Sequence, residues 1–218
     1  MVKRSLVLSV AILFLSACGS SPHATAPTAS SVSVQSGDAP SGMVKCDLTG
    51  SIDTFLTKEK TQDPNTYDST STEWSDAKKN GATAAFVAFY ADSASHCGAI
   101  KANGSDIGSA NYKLIINFVI QFKDESSASK GYTTESIFGF KSSDLKQSAS
   151  AAGSAIQVVE GTKTGLSANS LILNASVATQ SYYIAVWQNK AFMVILAVLN
   201  VDPNASKKVA TSENSRIS

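Results

Sequence analysis

Few residues of this 218-residue chain are equipped for chemistry: three cysteines, two histidines, and carboxylates with no distinctive setting. A histidine near neutral pH can move a proton or hold a metal, but it needs partners at defined spacing. His23 lies in a run of Ser, Ala, Thr and Pro, and His96 stands by itself in the body of the chain, where an exposed helix position is expected of it. The chain contains no His-Glu-x-x-His, no Gly-x-Ser-x-Gly elbow, and neither glycine-rich phosphate-binding pattern. "DPNTYD", Asp63 to Asp68, spaces oxygen ligands alternately, as a calcium loop does. Such a loop wants glycine sixth and glutamate twelfth, where Asp68 and Trp74 stand, so a solvated turn is expected. No catalytic residue, metal or cofactor is assigned. Tyr183 and Trp187, on one face of a strand beside Tyr182, are the candidate pocket, suited to a small apolar ligand between sheet and helices. The competing expectation for the pair is plain core packing.

An odd cysteine count leaves at least one thiol without an internal partner. Lys3 and Arg4 precede an apolar run from Leu6 to Phe14, broken only by Ser9. That run is shorter than the ~20 residues a membrane span needs, but it suits a secretory signal. Small residues follow, and Leu15-Ser16-Ala17-Cys18 resembles the lipobox of bacterial lipoproteins. The resemblance implies cleavage after Ala17, acylation of Cys18, and attachment outside the cytoplasmic membrane, or to the outer membrane of a two-membrane host. The remaining Cys46 and Cys97 then form an even pair in an exported domain, which favours a disulfide. Their spacing is far too wide for a Cys-x-x-Cys redox motif. A bridge closing about 50 residues stabilises by roughly 4 kcal/mol.

Three segments follow. Residues 1–17 read as the signal peptide, and 18–43 as a flexible tether rich in Ser, Ala and Pro, with an end-to-end distance of about 25–30 Å. Residues 44–218 form one domain, since no repeat or second linker interrupts them. Without Lys3 and Arg4, 16 of the 18 basic residues face 17 acidic ones, a net charge of −1. Lys and Arg never run beyond two, which excludes a nucleic-acid footprint. The membrane is expected as a partner through Cys18, with an envelope protein or small ligand besides, and the chain as a monomer.

The elements are read from periodicity. "CDLTGSIDTFLTKEK" has helical spacing, and "DPNTYDSTST" is a polar connection. Residues 71–100 are helix-like, as one helix or as two split at Gly81, so the disulfide would join helix to helix. In "NYKLIINFVIQF" the period becomes two, with Lys113, Asn117 and Gln121 on a wet face. "DESSASKGYTTE" is a short helix, and "SSDLKQSASAAG" a helical turn or a loop. "AIQVVEG", "NSLILNASV", "SYYIAVW" and "AFMVILAVLNV" are strands, the last apolar on both faces and therefore central. Asp202 and Pro203 open a final helix.

The expected fold is α+β: N-terminal helices and a C-terminal helix packed on one face of a mainly antiparallel sheet of about five strands. That element order, with "GTKTGLSANS" before a strand, resembles the one-domain α/β/α lipoproteins of actinobacteria and related sensor domains with a Mog1/PsbP-like fold; no functional residue carries over. The function expected is a non-catalytic binding, sensing or envelope-associated module, with a surface-anchored hydrolase as the alternative.

Overall fold

The computed structural model describes residues 26–102, 110–134, 142–151, 156–177 and 179–217. The signal-like segment, Cys18, His23 and most of the loop after residue 102 lie outside them. The elements are α1 (Ala29–Val32), β1 (Val44–Lys45), β2 (Gly50–Ser51), α2 (Ile52–Gln62), α3 (Pro64–Lys79) and β3 (Ala82–Ala91). Next come α4 (Ala94–Ala102), β4 (Leu114–Phe122), α5 (Glu125–Thr134) and α6 (Ser142–Ala151). The chain closes with β5 (Ile156–Glu160), β6 (Asn169–Val177), β7 (Gln180–Asn189), β8 (Phe192–Leu199) and α7 (Pro203–Ser215).

Eight apolar residues in succession make β8, and every one is buried. Such a strand needs cover on both faces, and it sits between β4 and β7 in an antiparallel sheet ordered β1-β3-β4-β8-β7-β6-β5, with β2 also on β3. Met193, Ile195, Ala197 and Leu199 face one core with Phe55 of α2, Trp74 of α3, Ile100 of α4 and Ala128 of α5. Phe192, Val194, Leu196 and Val198 face a second core with Val32 and Val34, and Val209 and Ala210 of α7. The α+β class therefore holds, but the sheet has eight strands rather than about five, and helices cover both faces rather than one.

Three further expectations are corrected. Residues 82–91 are strand, not helix. Their alternate residues Val87, Phe89, Ala91 and Ala88, Tyr90 enter opposite cores, so the two-residue period is erased, and alanines at helical spacing mimic a helix. Asp63 to Thr72 is no connection: Asp63 caps α3 by accepting from Thr66 N at 3.2 Å, and Pro64 occupies its first turn. That helix stops at Gly81, whose φ of +98° excludes most side chains. The wet face of β4 is also wrong at its centre, because Asn117 is fully buried. The ambiguous 142–151 stretch is helical.

The expected tether ends early. Thr28 and Ser31 cap α1 reciprocally, and Ala29, Val32, Ser33 and Val34 are all buried against β3 and β4. Two valines and a clamp of hydrogen bonds, described below, offset the ordering entropy that the Ser/Ala/Pro composition was expected to leave unmatched. Residues 28–38 are a strap on the second face of the sheet.

Candidate functional site

The strap is held by a buried polar network. Asn117 Oδ1 accepts from Ser33 Oγ at 2.8 Å and from Val34 N at 3.0 Å, while its Nδ2 donates to Glu213 Oε1 at 2.8 Å. Tyr90 Oη donates to Val34 O at 3.1 Å. Arg216 donates Nε to Val32 O and Nη2 to Ser33 O, at 3.2 and 3.1 Å. It also grips both carboxylate oxygens of Asp38, at 3.1 and 2.8 Å. This bidentate geometry is the strong form of an arginine–carboxylate contact. Glu213 is 0% exposed, and burial pushes its carboxyl well above the usual range. Sequence reasoning missed this clamp. Its trace was one amide in the middle of "LIINFVIQF" and one glutamate in the last turn of an otherwise basic or neutral helix.

Beside the strap's layer lies a groove of about 420 Å³ lined by Gln157, Asn174, Ser176, Ser181, Tyr183, Val201 and Pro203, among others. The strand register explains it. Gln157 pairs with Asn174, Asn174 with Tyr183, and Ser176 with Ser181, so two rows of amides and hydroxyls share one face. The turn into α7 supplies the wall. No charged residue is in the lining, so the groove suits an uncharged ligand that hydrogen-bonds. Tyr183 is 4% exposed, its hydroxyl has no partner among the described residues, and burial pushes its pKa up. Trp187 is not in the lining; it is fully buried in the second core, so the two aromatics expected to share a pocket do not.

Cys46 and Cys97 form a disulfide with Cα atoms 5.3 Å apart. It joins the segment after β1 to α4, not helix to helix. A second groove of about 330 Å³ runs along it, lined mainly by Val44, Lys45, Leu48, Ala94, Gly98 and Lys101. Asp47 at its rim meets Lys58 at 3.1 Å and Lys101 at 3.3 Å, and these hold its carboxyl below the usual range.

His96 is less isolated than expected. Its Nδ1 is hydrogen-bonded to Asp92, and its ring stacks on Tyr112 with centroids 4.0 Å apart. Its side chain is 39% exposed. Asp92 also accepts from Lys113 N at 3.2 Å, and the bond to His96 leads the causes that lower its pKa. The trio ties α4 to the entry of β4, and its oriented, half-exposed imidazole has the geometry of a general base. Among the described residues, no three His, Cys, Asp or Glu side chains gather as a metal site. Asp63 is a helix cap, and Glu160 is the exposed end of β5, paired with Lys146 at 2.8 Å.

No protein-family model matches the chain, and no curated protein does. Among solved structures, the extracellular domain of PknH from Mycobacterium tuberculosis is similar at a TM-score of 0.35 and 12% identity. The match covers 63% of this chain and 66% of that one, just under two thirds of it.

Proposed function

We propose that this chain is an exported, lipid-anchored binding module that holds an uncharged ligand or an envelope partner close to a membrane. The observation that carries this reading is the disulfide. It uses Cys46 and Cys97 and leaves Cys18, in Leu15-Ser16-Ala17-Cys18, as the thiol available to a lipid. A bridge of this kind persists in oxidising compartments, in keeping with a secretory signal. The amide- and hydroxyl-lined groove on the second face is the ligand site this reading favours.

Expression in a bacterial host followed by intact mass analysis of the membrane fraction tests the anchor. The expected species begins at Cys18 and carries at least a diacylglyceryl group, while Cys18→Ala is found in the soluble fraction. A parent chain that is soluble and unacylated overturns the anchor. Native mass spectrometry of the gently purified protein tests the binding role, the expected result being an extra mass lost on denaturation. Asn174→Leu and Gln157→Leu should abolish that adduct, and an adduct indifferent to both places the ligand elsewhere. A hydrolase reading has one observation behind it, the Asp92–His96 pair. It would require a turnover that His96→Ala removes while the fold persists.

A further inference from the structure

We propose that the layer formed by the strap and α7 is the face this protein turns toward an anionic lipid surface. The inference rests on the lipid anchor at Cys18, and its first support is the length of chain between that anchor and the docked strap.

Thr28, where the capping of α1 begins, is only ten residues along the chain from Cys18. Ten residues reach about 17 Å as a coil and at most about 35 Å fully extended. A globular chain of about 190 residues has a radius near 20 Å. A tether whose typical coil distance exceeds that radius lets a domain roll, whereas a typical distance of about 17 Å keeps the exit point near the lipid most of the time. Docking of residues 28–38 makes that difference, since a tether running to residue 43 would reach about 28 Å. The exit point is on the second face, because α1 lies over β3 and β4 with its apolar side in the core shared with α7.

The charge of that layer agrees. Lys207 and Lys208 are exposed on α7, beside uncharged Asn204 and Ser215. The strap exposes Ser30, Ser31, Gln35 and Ser36. Of the layer's carboxylates, Asp38 is neutralised by Arg216 and Glu213 is buried. Asp202 caps α7, accepting from Asn204 N and Ala205 N at 2.9 and 3.2 Å, and is the one exposed carboxylate of the layer. Two lysines therefore face outward against one exposed carboxylate, a balance of +1, and lysines near an anionic leaflet are attracted to it.

The test uses the full acylated chain on vesicles containing phosphatidylglycerol. A fluorophore is placed at Ser215→Cys on α7 or at Ser69→Cys, exposed on α3 of the opposite layer, and quenched by a nitroxide-bearing lipid. Quenching at 215 is expected to exceed that at 69 at least fivefold. In Lys207→Glu/Lys208→Glu the ratio should fall, and in Arg216→Ala, which frees the strap, it should approach one. Vesicle-bound, acylated protein quenched equally at both positions, or more strongly at 69, overturns the orientation and leaves the anchor intact. A chain that neither carries lipid nor sediments with vesicles overturns both.

Discussion

Glu59 is the residue whose surroundings make the sharpest demand. It is 1% exposed on α2, and neither carboxylate oxygen has a hydrogen-bond partner among the described residues. Burial, followed by repulsion from Asp63, raises its pKa from 4.5 to about 7, with Lys101 opposing the shift. The folded chain therefore holds a proton that the unfolded chain has lost between pH 4.5 and 7. Stability falls as pH rises through that window, and Glu213, raised for the same reason, acts in the same direction. With each pKa unit equivalent to about 1.4 kcal/mol, Glu59→Gln should stabilise the protein at pH 7.5 by on the order of 2 kcal/mol. At pH 4.5 it should do little. Denaturant unfolding at both pH values measures this, and a parent and variant that run parallel would refute the assignment. Asn117 is the opposite case, a buried amide whose bonds are made to Ser33, Val34 and Glu213. Asn117→Leu strands those partners and should lower stability by about 2–4 kcal/mol, a loss that urea denaturation reads directly.

Helices and strands differ in how far their packing overrides local preference. Gly131 in α5 shows the override: alanine there favours helix by about 1 kcal/mol on intrinsic grounds. Its Cβ, however, would stand 2.8 Å from Cζ of Phe122, a ring 2% exposed in the first core. Gly131→Ala is thus expected to destabilise by about 1–3 kcal/mol, and a raised melting temperature would show that α5 can step back without loss. The same contest decides what was legible in the sequence. β4, β6, β7, β8 and α7 could be read because one strong signal governed each: strict alternation, an unbroken apolar run, or Asp202 and Pro203 at a helix start. β3 could not, because cover on both faces removed its alternation and left alanine and phenylalanine at spacings that also suit a helix. The strap was hidden by composition, its anchoring residues Val32 and Val34 standing among serines. The candidate groove was half legible. Tyr183 carried a signal, whereas Gln157 and Asn174 become neighbours only through strand pairing 17 residues apart.

Among the described residues two large cores lie on one sheet, and the second is completed by the strap and α7. Without residues 28–38, Tyr90 loses its acceptor, Asn117 two of its donors, and Arg216 its carboxylate. The apolar side chains of Ala88, Ile115 and Val119 lose the cover of Val32 and Val34. A domain cut at residue 44, where composition alone would place its start, lacks part of its own core. Against a chain beginning at residue 26, one beginning at 44 is expected to lose on the order of 3–5 kcal/mol. Two buried valines at about 1.5–3 kcal/mol each supply most of that figure. The uncovered patch should also draw the shorter chain into self-association, since contiguous apolar surface of that kind favours it. Urea midpoints and sedimentation at several concentrations compare the two. Equal stability with two monomers would mean that the strap is decoration on a finished fold. A loss of the expected size would mean that residues 28–38 are structural, holding Asn117 and Glu213 in the second core through Ser33 and Val34.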